Sequence, residues 1–144
     1  MSAITSMSFE ATPGPRSPTG WRGHGTARVC CRTDGDVQRL IERGRFLPSG
    51  ATRAFAFHNT YRWAFDETML RLAHERFGAE TPVELVELVA DGPDSLIARA
   101  AHVCGADHYT ARLVLVADGF DLIWSIDGPA KQEHLCYHYR AAGL

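Results

Sequence analysis

Arg53-Ala-Phe-Ala-Phe-His-Asn-Thr-Tyr-Arg-Trp-Ala-Phe65 is the stretch that decides the fold. Phe55, Phe57, Asn59, Tyr61, Trp63 and Phe65 share one face, while Ala54, Ala56, His58, Thr60, Arg62 and Ala64 share the other. A period of two sustained over this length and loaded with aromatics predicts a β-strand and rules out a helix. If the aromatic face points inward it either fills a core or walls a ligand cavity. Asn59 and Tyr61 lie in the same row, and their polar groups need partners once buried.

Upstream, the glycine-rich run Gly20-Trp-Arg-Gly23-His-Gly25 leads into a strand over 26–32 and allows a bend or a close backbone approach. Asp34-Gly35 predicts a hairpin turn, 37–46 the returning strand, and Pro48-Ser-Gly50 the next turn. Downstream, Asp66-Glu67 turns the chain into 69–77, where Met69-x-x-Leu72 and Leu70-x-x-x-His74 also fit a short helix. Strands follow over 83–89, 96–104, 109–116, 121–127 and 133–140, separated by turns such as Asp118-Gly119 and Gly128-Pro129. About nine strands with short polar turns predict an all-β antiparallel meander that removes its edges by closing into a barrel. Residues 1–20, with Pro13, Pro15 and Pro18 among small polar residues, read as an extended or partly disordered arm, leaving 21–144 as the barrel domain.

The composition is that of an ordinary globular domain. A chain of 144 residues with 45% hydrophobic and 22% charged content can bury a core without metals or disulfides. A net charge of −2 makes no electrostatic case for nucleic acid or an anionic membrane. Cys30, Cys31, Cys104 and Cys136 form no CxxC, and no apolar run approaches membrane-spanning length. Residues 1–20 lack a basic start and an apolar core, so the expectation is a cytoplasmic protein with reduced thiols. A homodimer is compatible with all of this.

The last third carries a distinctive pattern: His102-x-Cys104-x-x-Asp107-x-Tyr109, Trp124, Gly128-Pro129-x-Lys131, then Tyr139 and Arg140. This resembles an uncharacterised bacterial family of small lipocalin-like barrels of unknown function, over roughly residues 20–142. Gly20-Trp21 also resembles the start of the wider lipocalin and nitrobindin group, which carries Gly-x-Trp there. The resemblance implies a lipocalin-like barrel with a cavity, and it implies no reaction. It also implies that Arg140 on the last strand closes over Trp21 on the first in a cation–π contact.

Several residues are candidates for chemistry, each with a plainer alternative. Phe57, Asn59, Tyr61, Trp63, Tyr109, Trp124 and Tyr139 line a cavity if they face inward, or else simply pack the core. His102, Asp107 and Tyr109 suit acid–base chemistry, with Asp107 setting the tautomer of His102 or His108; otherwise Asp107 caps its own turn and Tyr109 anchors the wall. Lys131, the only lysine among 15 basic residues, suits an anionic group at the barrel mouth or is a solvated turn residue. His74 and Arg76, with Arg62 nearby, suit a carboxylate or phosphate, or else pair with Glu75, Glu84 or Glu87. His102, Cys104, Cys136 and His138 are acceptable zinc ligands, but their strands are not expected to be neighbours, so no metal is expected.

The leading expectation is binding of a small, largely apolar or aromatic molecule in the cavity, with His102 and Arg76 fixing a polar end and no cofactor. The first alternative is a small barrel enzyme of the cyclase, isomerase or lyase type using His102, Asp107 and Tyr109. The second is a haem-binding, nitrobindin-like barrel with a histidine as axial ligand.

Overall fold

The computed structural model describes residues 3–15 and 22–142. It contains eleven strands: β1 (Ile4–Pro13), β2 (Gly23–Asp34), β3 (Val37–Pro48), β4 (Phe55–Phe65), β5 (Leu70–His74), β6 (Val83–Gly92), β7 (Ser95–Ala98), β8 (His102–Cys104), β9 (Asp107–Val116), β10 (Gly119–Asp127) and β11 (Gln132–Ala141). All pairings are antiparallel. Ten strands close into a barrel in the order β1 to β7, β9, β10, β11 and back to β1, while β8 hangs on the edge of β9 outside the ring. Closure satisfies the edge groups that an open sheet of this length would expose.

The fold is the all-β antiparallel barrel expected, with two departures in how the strands are parsed. The stretch 1–20 was expected to be an arm outside the barrel. Ile4–Pro13 is indeed extended, but as the strand that closes the ring. Met7 faces Tyr139 of β11 on one side and Ala27 of β2 on the other, and both Met7 and Ala11 are buried. The predicted strand 96–104 divides into β7 and β8 around Arg99–Ala101. Both halves stay on the same edge of β9, opposite Arg112–Val114 and Asp107–Tyr109. The chain leaves β6 after the Arg99 amide donates to the Glu87 carbonyl at 2.8 Å. Within 69–77 the segment Leu70–His74 folds as strand β5 and none of the stretch is helical.

Local sequence explains the turns. Gly35 has φ 61°, a left-handed conformation that glycine adopts without strain, and it sits in the two-residue loop between the paired Asp34 and Val37. The Asp66 carboxylate accepts the Thr68 and Met69 amides at 2.9 and 3.0 Å, locking the β4–β5 turn. A bulge between Leu72 and Ala73 sends both consecutive residues inward.

The meander places the β3–β4, β5–β6, β8–β9 and β10–β11 connections at one end of the barrel and the β2–β3, β4–β5, β6–β7 and β9–β10 turns at the other. A continuous core runs through the middle, with Leu40, Trp63, Leu72, Leu88, Leu113 and Leu122 from six strands. Leu72 and Leu88 are essentially inaccessible. Burying each contributes about 2–3 kcal/mol.

Candidate functional site

The barrel interior opens at the β3–β4 end into a cavity of about 390 Å³, walled by Phe9, Glu42, Phe46, Phe57, Asn59 and Tyr137 among others. Inward residues alternate along each strand, so β1 contributes Met7, Phe9 and Ala11 and β11 contributes Leu135 and Tyr137. Phe9 is the hub. Its ring stacks on Phe46 at 5.4 Å and on Tyr137 at 5.3 Å, and meets Phe57 edge-on at 5.7 Å. Gly25 makes this possible, because a Cβ there would collide with the Phe9 ring. The close backbone approach expected of the glycine-rich run is realised at this point.

Glu42 is the residue that the sequence reading missed. It is 0% exposed, the one fully buried charged side chain among the described residues. Tyr139 donates its hydroxyl to Glu42 Oε2 at 2.6 Å, whereas Oε1 has no hydrogen-bond partner among the described residues. Burial pushes the carboxyl up to about 7; the Tyr139 hydrogen bond and the polar Asn59 amide, opposite it in the β3–β4 ladder, pull the other way and only partly offset the burial. The signal was present: Leu40, Glu42 and Phe46 share one face of β3, so a carboxylate occupies an inward position between two core residues.

The network continues sideways. Asn59 Oδ1 accepts from His74 Nε2 at 3.2 Å, and the His74 ring stacks on Tyr61 at 4.7 Å. Burial first, and then the neighbouring Arg76 charge, lower the His74 pKa, so it serves as a neutral donor. Burial also raises Tyr137 to about 12 and raises Tyr61 and Tyr139 well above the usual phenol range. All three therefore remain protonated hydrogen-bonding phenols at neutral pH.

The middle of the aromatic face of β4, Phe57 to Trp63, points inward, whereas Phe55 and Phe65 at its two ends are exposed. Phe57 and Asn59 wall the open cavity. Tyr61, Trp63, Trp124 and Tyr139 close around a space of only about 10 Å³ together with Leu72 and Leu122, forming the cavity floor. Trp63 Nε1 is a second buried group with no hydrogen-bond partner among the described residues.

The remaining candidates lie elsewhere. Arg76 sits over the Phe77 ring at 5.5 Å and lines an outer groove with His58 and His74, so it does not supply the polar end expected of it. Glu75 instead pairs with Arg39 at 3.0 Å and Arg62 at 3.5 Å. Lys131 donates to the Tyr109 hydroxyl at 3.4 Å, and the His102 ring meets Tyr109 edge-on at 6.0 Å. Asp107 packs against Gly128, and no hydrogen bond among the described residues joins it to His102 or His108. His102 is exposed on β8 beside a cleft left where β8 diverges from β6. His102 and Cys104 on β8 are separated from Cys136 and His138 on β11 by two strands. The Trp21 contact expected of Arg140 falls outside the described residues; Arg140 pairs with Asp121 at 2.8 Å.

Comparison with known proteins finds one family, described as a family of unknown function (DUF6314), whose model matches residues 15–141. No curated protein and no solved structure matches. No helix among the described residues is long and apolar enough to cross a membrane.

Proposed function

Because the chain belongs to the DUF6314 family, whose function is unknown, we propose from the cavity itself that the protein binds one small, largely apolar or aromatic molecule inside the barrel, oriented by Glu42. The supporting observation is a fully buried carboxyl with one unpartnered oxygen in the wall of an aromatic cavity of about 390 Å³. Buried polar atoms are almost always hydrogen-bonded, and an apolar pocket with few oriented polar groups is the usual design of a small-molecule site. A ligand that brings an N–H or O–H to Oε1 and lays a ring among Phe9, Phe57 and Tyr137 completes both features. Asn59 and Tyr139 hold the carboxyl in place, which gives them a positioning role.

A second reading rests on the same carboxyl. With its pKa near 7 and Tyr139 at 2.6 Å, Glu42 is matched to general acid–base work at neutral pH. If the barrel is an enzyme, Glu42 and Tyr139 are better placed for proton transfer than His102, Asp107 and Tyr109.

Native mass spectrometry of freshly purified protein, with an absorbance spectrum of the same sample, is the first test. A retained small mass supports binding, and a Soret band would identify the haem alternative instead. Titration calorimetry with indole, tryptamine and indole-3-acetate then reads the polar end. Tryptamine is expected to bind tightest and indole-3-acetate weakest, and Glu42→Gln to weaken tryptamine by about 10- to 100-fold, the worth of a charged hydrogen bond. A bare native mass together with no measurable binding of the three probes would sink the proposal. Product appearing during incubation would favour the enzyme.

A further inference from the structure

The outer wall of the barrel carries a second constellation that the cavity does not use. Even-numbered residues of β11 face outward, so Cys136, His138 and Arg140 stand in a row, and Asp121 on β10 lies directly opposite His138. The His138 Nδ1 is 2.8 Å from Asp121 Oδ1, and its Nε2 is 3.5 Å from Cys136 Sγ. Arg140 Nη2 holds the same Asp121 oxygen at 2.8 Å, while its Nη1 donates to the Phe120 and Tyr139 carbonyls.

These contacts assign the tautomer. Asp121 stays ionised: burial alone would raise its pKa, but hydrogen bonds from His138 and Arg140 outweigh that and hold it low. It therefore accepts the Nδ1 proton and leaves the Nε2 lone pair facing Cys136. Burial first, then Asp121 and Glu10, raise the thiol, with Arg140 opposing them, so the sulfur is a neutral S–H donor to Nε2. A nucleophile, a base within hydrogen-bond reach and a third group orienting the base form the general arrangement for an activated nucleophile. The charged groups around it are Glu10 on β1, Asp121 and Asp118 on the β10 side and Arg140 on β11, with His24 one strand farther opposite Glu10.

We propose that Cys136 is a nucleophile activated by His138 and Asp121, and that this face is a covalent-modification site for a small neutral or cationic disulfide. The Cys136 proton passes to His138 Nε2 as the sulfur bonds to one sulfur of the disulfide. The original S–S bond breaks, its electron pair leaves on the departing thiolate, and that thiolate takes the proton from the His138 imidazolium. The products are a mixed disulfide at Cys136 and one free thiol; Cys136 is oxidised and the released half reduced. Glu10 and Asp121 disfavour an anionic reagent at the same sulfur.

Cys31 supplies an internal control in the same molecule. It is also half-buried with a raised pKa, but it packs against the inner core, and its S–H donates to the Ile4 carbonyl at 3.3 Å with no base beside it among the described residues. The experiment follows mixed-disulfide formation with cystamine, resolved by peptide mass spectrometry, from pH 5.5 to 8.5 in the folded full chain. General-base assistance is worth roughly 10²–10⁴-fold, so Cys136 is expected to react at least about tenfold faster than Cys31 at pH 7. Its rate should rise with pH over this range. His138→Gln should slow Cys136 at least about tenfold, and Asp121→Asn should slow it less, with circular dichroism confirming the barrel in each. Cys136 reacting no faster than Cys31, or a His138→Gln variant that is folded and reacts as the parent does, would overturn the proposal. Should His138→Gln fail to fold, the parent's Cys136-to-Cys31 ratio and its pH profile decide alone.

Discussion

One strand, β4, builds two regions of opposite character. Around Phe57 and Asn59 the interior holds about 390 Å³ of space, while around Tyr61 and Trp63 only about 10 Å³ remains. The alternation that drives both halves inward is the same. What differs is the partners: Phe57 is opposed by Gly44 on β3, whereas Trp63 faces Leu72 on β5 and the ring of Phe120. Large side chains interdigitate across the closed half, whereas the rings of Phe9, Phe46, Phe57 and Tyr137 stand around the open half without filling it. Period two therefore tells which way a face points, and the residues opposite decide whether it is filled.

The closed half should be the more fragile. Leu72→Ala removes a side chain that is 1% exposed and leaves a cavity between rings, so we expect a loss of about 2–5 kcal/mol in urea unfolding. A loss below about 1 kcal/mol would mean that the closed half is less tightly packed than the geometry indicates.

Glu42 marks the boundary between the halves, and its effect depends on pH. Its folded pKa, about 7, lies above the ordinary value of 4.5. The native state thus binds the proton more tightly than the unfolded chain. The stability contributed is fully present below about pH 4.5 and is lost as pH rises through 7. Two and a half pKa units correspond to about 3 kcal/mol. Glu42→Gln, which keeps the shape and removes the ionisation, should gain about that much relative to the parent between pH 4 and pH 8. Parallel unfolding curves at the two pH values check it, and a pH-independent difference would show that Glu42 ionises normally.

The smallest effect belongs to the rim of the open half. Phe55 is 63% exposed, so Phe55→Ala should change stability by no more than about 0.5 kcal/mol. A larger loss would show that the rim closes over the cavity in solution.

Much of this architecture was legible in residue order. The Asp34-Gly35 hairpin, the inward face of β4 and the division into short strands all follow from turn chemistry and period two. β1 was not recognised, although Met7, Phe9 and Ala11 alternate with Ser8 and Glu10. Prolines crowd the same stretch, and its main partner, β11, lies at the other end of the chain. The cavity wall was partly legible: Phe57 and Asn59 were anticipated, whereas Glu42 had the correct inward register but resembled a surface charge beside Arg43. Cys136 and His138 were visible as an i, i+2 pair on one face. Asp121, which orients the histidine, joins them only through the β10–β11 register.

Sequence alone determined that this chain is an antiparallel β-barrel with an aromatic inner face, because turns and alternation are local and repeat along every strand. The tertiary structure decided where the barrel is hollow, that a buried carboxyl stands in the wall of the hollow, and that a cysteine, a histidine and an aspartate meet on the outside. Those outcomes depend on which strands become neighbours and in what register, and a shift of one residue would turn every one of these side chains to the opposite face.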